Sequence, residues 1–165
     1  LINPSKGSIF IDEINFKDLN IHSLHKLLSY VPQNIFLLDA SIKDNILFGS
    51  DLYTEDDLNE VIKKSNLEDF IKGLPSGIET LIGERNSKIS GGQAQRIGIA
   101  RALIKKPSIL IFDESTNSLD SETELQIMNS IKKLKNELTI IMISHSDRSL
   151  HICDEIIDIN DLKKR

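Results

Sequence analysis

The sequence predicts an α/β fold: a parallel sheet core with a helical, charge-rich segment inserted into it. Three observations predict this. "SILIF" (Ser108 to Phe112) and "TIIMIS" (Thr139 to Ser144) are continuous apolar runs, the mark of strands buried on both faces. One capped helical pattern lies between them, and strand, helix, strand in that order implies a parallel pair with a right-handed crossover. The stretch from Asp39 to Lys106 then stands apart, helical in period and richer in charge.

A chain of 165 residues, 39% hydrophobic and 27% charged, is large enough for one core and ordinary in composition. The expected organisation is one partial domain over 1–165, with core sheet parts at 1–38 and 107–165 and a helical subdomain at 39–106. A net charge of −5 argues against nucleic acid as a partner, because phosphate backbones need a basic face. No apolar run is long enough to cross a bilayer. The single Cys153 cannot form an internal disulfide. "LINPSKG", at Leu1, reads as a helix end running into a turn, so residues are expected to precede it.

The elements follow in order. "GSIFID" (Gly7 to Asp12) is a short strand after a Pro/Gly turn, with Asp12-Glu13 in a hairpin turn. "LLSYVPQN" (Leu27 to Asn34) is a second strand, stopped by Pro32. Thr54 caps a helix that carries Leu58, Val61 and Ile62 on one face. "LPSG" (Leu74 to Gly77) is a turn. Ser90 and Gln93 have capping-box spacing, and the helix they start ends at Lys105-Lys106-Pro107, where basic residues complement the dipole. Ser121 and Glu124 offer a second capping box, ahead of Leu125, Met128 and Ile131. "EIIDI" (Glu155 to Ile159) is a weaker third strand.

Two places carry candidate chemistry. In "ILIFDE", Asp113 and Glu114 emerge at the carboxyl end of a buried parallel strand, where open α/β sheets bind ligands. Asp113 suits Mg²⁺, which prefers oxygen ligands, and Glu114 suits polarisation of an attacking water. Two solvated acids at a strand end is the equal alternative. "SIFIDE" (Ser8 to Glu13) matches nearly as well, but its acids sit in a turn and read as structural. In "SGGQ", a helix N-terminus begins with two glycines, each costing roughly 1 kcal/mol relative to alanine. That suggests close backbone approach, and exposed N–H groups there favour phosphate. A plain capping box is the alternative. His145 follows the "TIIMIS" strand, and Gln33 follows the "LLSYV" strand. His22, His25 and His151 lack such a setting and read as surface or packing residues.

In order, "VPQN", "SGGQAQR", "ILIFDES", "SLD" and "ISH" resemble the ATP-binding-cassette ATPase family over essentially the whole chain. The resemblance implies a P-loop-NTPase-like (RecA-like) core with an inserted helical signature subdomain, its N-terminal β part incomplete. It matches Gln33 to the Q-loop glutamine and Ser90, Gly91, Gly92 and Gln93 to the signature. Asp113 matches the Walker B aspartate, Glu114 the catalytic glutamate, Asp120 the D-loop aspartate and His145 the switch histidine. Ligands implied are ATP and Mg²⁺, with Asp113 and Gln33 at the metal. "FLLDASIKDNILFG" and "IGERNSKISGGQ" resemble exporter-type cassettes, lipid and glycolipid exporters most, with Glu84 as a coupling residue.

The chain departs from the family at Ile89, Asn86, Ser115 and Asn117, and contains no G-x-x-x-x-G-K-[ST]. The resemblance therefore implies a cassette that begins just after its phosphate loop. Its signature would act on ATP held by a second cassette, beside a transmembrane domain in the same parent polypeptide. Hydrolysis would belong to that parent, at the cytoplasmic face of the cell membrane. The alternatives are a soluble cassette ATPase of DNA maintenance and a degenerate, non-catalytic cassette.

Overall fold

The structure is a computed structural model that describes residues 6–50, 52–83, 89–115 and 120–159. It opens with β1 (Phe10–Ile11) and β2 (Ile14–Asn15), an antiparallel pair. Asp12 and Glu13 turn the chain between them with φ of 46° and 67°. Two successive left-handed residues make the tight turn that matches strand twist, as the sequence suggests for this acid pair. Next comes α1 (Ile21–Leu27), which the sequence reading missed. Asn20 caps it, accepting from the His22 and Ser23 N–H groups. The helix runs directly into β3 (Leu28–Val31).

The inserted segment holds β4 (Ala40–Ser41), α2 (Ile42–Leu47), α3 (Glu55–Lys64), α4 (Glu68–Lys72), β5 (Leu81–Ile82) and α5 (Gly91–Leu103). β4 and β5 pair antiparallel, a contact too short for any periodicity to announce. α2 and α3 both begin with reciprocal capping boxes, Ser41 with Asp44 and Thr54 with Asp57. Leu58, Val61 and Ile62 are buried as the α3 pattern predicts.

One polar bolt ties this segment together. Asn45 is fully buried. Its Oδ1 accepts from the Leu38 N–H at 2.8 Å, and its Nδ2 donates to the Leu38 and Ser41 carbonyls. Arg101, on α5, donates to the Asn45 carbonyl, the Asn45 Oδ1 and the Phe36 carbonyl at 2.7, 3.0 and 2.8 Å. Its guanidinium also lies 5.7 Å from the Phe48 ring centre. Most buried polar groups in folded proteins are bonded in this way.

β6 (Ile109–Asp113), α6 (Ser121–Leu134), β7 (Thr139–Ile143) and the short α7 (Asp147–Leu150) are the remaining elements among the described residues. The main sheet is parallel with order β3-β6-β7, in the strand–helix–strand sense expected. Leu110 and Phe112, on the central strand, are 0% and 1% exposed. Each such side chain contributes about 1.5–3 kcal/mol on leaving water.

Three expectations need correcting. "TIIMIS" is not buried on both faces, since Ile141 and Ile143 are 47% and 49% exposed. β7 is the last strand of the described sheet, so an apolar run there has one face without a covering layer among the described residues. "EIIDI" forms no strand, and Ile156, Ile157 and Ile159 are exposed. The cap of α6 is Asp120 rather than Ser121, because the Asp120 carboxylate accepts from the Thr123 N–H. Leu125 accordingly faces solvent, while Ile127, Met128, Ile131 and Leu134 face the core.

That cap gives a pH signature. The Thr123 N–H bond holds the Asp120 carboxyl below its ordinary value of 3.8. A depressed carboxyl stabilises the fold above its unfolded pKa, and the contribution is lost as pH falls through the lower folded value. Stability should therefore drop below about pH 4. Asp120→Asn, which still caps but carries no charge, should flatten that part of a plot of thermal midpoint against pH.

Candidate functional site

The site residues follow from strand direction. β3, β6 and β7 run parallel, so their carboxyl ends open on one edge. Gln33 follows β3, Asp113 ends β6 with Glu114 after it, and His145 follows β7. Three adjacent strands thus deliver the amide, the two carboxylates and the imidazole to one place.

Glu114 is the centre of the group. Gln33 Nε2 donates to Glu114 Oε2 at 3.4 Å, and His145 Nε2 lies 3.3 Å from Glu114 Oε1. The Glu114 N–H continues the ladder to the Ile143 carbonyl at 2.8 Å. Its φ is +46°, a left-handed backbone rarely adopted by a side-chain-bearing residue. That conformation costs energy and concentrates at functional positions. His145 is the open member, its side chain 85% exposed.

Tyr30 joins the group without having been foreseen. Register places it opposite Ile111, two residues before Asp113 on the same sheet face. Its hydroxyl donates to Asp113 Oδ2 at 2.6 Å. That hydrogen bond to the carboxylate holds the phenol above its ordinary value of 10.0. Sequence offered one signal: an aromatic with a polar tip two residues before the proline that stops the strand. His22, His25 and His151 are exposed and outside the group.

Ser90, Gly91, Gly92 and Gln93 sit elsewhere, at the start of α5. The capping box is present in both directions: Gln93 N–H donates to Ser90 Oγ at 3.2 Å, and Ser90 N–H donates to Gln93 Oε1 at 2.8 Å. The two glycines differ. Gly91 is exposed, whereas Gly92 is buried. A Cβ on Gly92 would collide with Thr123 Cγ2 of α6. Gly92 therefore has a packing reason that involves no phosphate. Asp120, also exposed, caps α6. Glu84, and the Ser118 and Leu119 of "SLD", lie outside the described residues.

The chain as a whole is similar to known proteins. The family model described as ABC transporter matches residues 1–117. The chain is 43% identical, over 93% of its length, to ABC transporter B family member 2 of Dictyostelium discoideum, and spans 11% of that protein. It is 38% identical, over 95% of its length, to the ABC transporter ATP-binding protein YwjA of Bacillus subtilis, and spans 27% of it. Among solved structures, a bacterial Atm1-family ABC exporter with ATP bound superposes with a TM-score of 0.79 at 36% identity. That superposition covers 90% of this chain and 26% of the exporter chain.

Proposed function

The chain belongs to the ABC transporter family, and on that premise we propose that it is part of the ATP-hydrolysing, nucleotide-binding domain of a membrane exporter. The observation that carries the reading is the meeting of Gln33, Glu114 and His145 across three adjacent strand ends. Glu114 polarises the attacking water, its carboxylate held from both sides. His145, exposed beside it, bonds the γ-phosphate.

Mg²⁺ fits the donor set. Asp113 and Gln33 offer hard oxygens, and Gln33 spends its Nε2 on Glu114, so its Oε1 is the atom that faces a metal's needs. Among the described residues no three His, Cys, Asp or Glu side chains gather as a metal cage. Magnesium suits such a sparse site, since it keeps waters and takes the rest of its shell from phosphates. When bound, it neutralises charge on the transferred phosphoryl group.

Ser90, Gly91, Gly92 and Gln93 act in trans, closing over ATP held by a second cassette. Gly91 N–H and Ser90 Oγ–H are the groups best placed for this, because Gly92 is packed against α6. Asp120, which caps α6, is assigned to the same interface. The second partner is a transmembrane domain. Phe36 and Phe48, 72% and 54% exposed on the segment bolted by Arg101, are apolar enough to meet it. The working location is the cytoplasmic face of the cell membrane. The DNA-maintenance and non-catalytic alternatives draw no support from relatives named as transporters and exporters.

The test is calorimetric titration with Mg-ATP. The chain is compared with a chimera that places a phosphate-loop segment bearing G-x-x-x-x-G-K-[ST] ahead of residue 1. Binding is expected from the chimera and not from the chain alone. Equal binding by both would mean that the phosphate grip is built from other residues. No binding by either would end the nucleotide reading.

A further inference from the structure

The first turn of α6 touches both halves of the candidate machinery. Asp120 Oδ1 accepts from the Thr123 N–H at 3.0 Å and fixes where the helix starts. Thr123 then places its methyl in the space a Cβ on Gly92 would need, so the beginnings of α5 and α6 abut. The next residue, Glu124, is 9% exposed. A carboxylate so placed is costly unless bonded. Its Oε1 accepts from Ser146 Oγ at 3.0 Å, and the Ser146 N–H donates to Ser144 Oγ at 3.0 Å. Ser144 and Ser146 flank His145. Further along the two helices, Arg96 Nη2 donates to Gln126 Oε1 at 2.5 Å, a second tie between α5 and α6.

We propose that Thr123 and Glu124 are positioning residues: the first turn of α6 sets where the Ser90–Gln93 helix mouth stands relative to the loop that carries His145. Thr123 does so by filling the notch over Gly92, and Glu124 by holding the serine beside the histidine. A displacement of α6 therefore moves both phosphate-facing groups together. The catalytic meaning rests on the function proposed above, but the mechanical linkage does not.

The experiment uses the 165-residue chain without nucleotide, reading thermal midpoint and the backbone amide signals of His145 and Ser146. Gly92→Ala is expected to lower the midpoint by about 3–10 °C through overpacking and to move both signals. Thr123→Ser removes the colliding methyl, leaving contacts of 3.6 Å to a Cβ at position 92. In the double mutant it should restore most of the midpoint and return the signals. Gly98→Ala is the control. It overpacks against Ile35 instead, so at a comparable loss of midpoint it should move His145 and Ser146 less than Gly92→Ala does. Glu124→Ala should shift both signals, and Glu124→Gln, whose amide oxygen still accepts from Ser146, should shift them less. Simple additivity of Gly92→Ala and Thr123→Ser, with His145 undisturbed, overturns the proposal. Should Gly92→Ala fail to fold, the Glu124 pair decides, and equal effects of Ala and Gln overturn it. None of these readouts involves ATP. Failure of the linkage and failure of the ATPase reading are therefore separate results.

Discussion

Glu114→Gln, made in the chimera that carries an upstream phosphate loop, is expected to bind Mg-ATP with little loss of affinity and to turn over about 10²–10⁴-fold more slowly. The substitution is nearly isosteric. Its remaining oxygen can still accept from Gln33 Nε2, so the loop beyond β6 should keep its place. What is lost is the second carboxylate oxygen and the charge, the attributes a water-polarising group needs. The expected kinetic signature is a fall in kcat with an unchanged dissociation constant, read by steady-state hydrolysis beside calorimetry. Turnover close to that of the parent chimera would remove Glu114 from the role assigned to it.

Arg101→Met is expected to destabilise the chain by about 2–4 kcal/mol, lowering the thermal midpoint by about 5–15 °C. Methionine fills similar space but donates nothing. The Asn45 carbonyl, the Asn45 Oδ1 and the Phe36 carbonyl would each lose the donor that Arg101 supplies. Asn45 is fully buried, so water cannot replace that donor cheaply. Arg101→Lys should recover only part of the loss, because an ammonium cannot reach three acceptors in one plane. Denaturant unfolding of the three proteins gives the comparison. A midpoint unmoved in the methionine variant would show that the bolt contributes nothing net.

What the sequence made legible divides along physical lines. Local signals carried well. The caps at Thr54 and Ser90, the α3 face and the turn at Asp12-Glu13 are properties of a few neighbouring residues. The parallel pairing of β6 with β7 followed from two apolar runs around one helical pattern, whereas the place of β3 on the other side of β6 did not. Exposure carried less well. "TIIMIS" announces a strand that wants apolar neighbours, but no periodicity says which neighbours a strand will have. β7 therefore matched the expectation in type and missed it in burial. At α6, two adjacent residues could each have capped, and the competition went to Asp120 because its carboxylate reaches the Thr123 N–H.

The candidate site divides in the same way. Gln33, Asp113, Glu114 and His145 were visible because each ends or follows a readable strand and falls in an ordered set of motifs. Tyr30, Thr123, Glu124 and Arg101 were not, because their roles depend on register and helix packing that no local pattern encodes. Gly92 taught the complementary point. Its small size is explained by a threonine of α6, so a glycine inside a phosphate-binding pattern need not owe its identity to phosphate.

The insertion between β3 and β6 also bears on how quickly the molecule can be made. Gln33 and Glu114 are 81 positions apart, and every pairing of β3 with β6 closes a loop of comparable size. By contrast, β6 and β7 are joined, among the described residues, through one helix, α6. Closing a long loop costs entropy before any sheet contact repays it, which slows folding. On a ribosome, β3 emerges first and must wait for its partner. The intervening helices shorten that wait by compacting the chain, with Arg101 drawing the segment next to β3 onto the helix that leads into β6. The bolt that stabilises the finished fold is then also what brings the two strands within reach of each other.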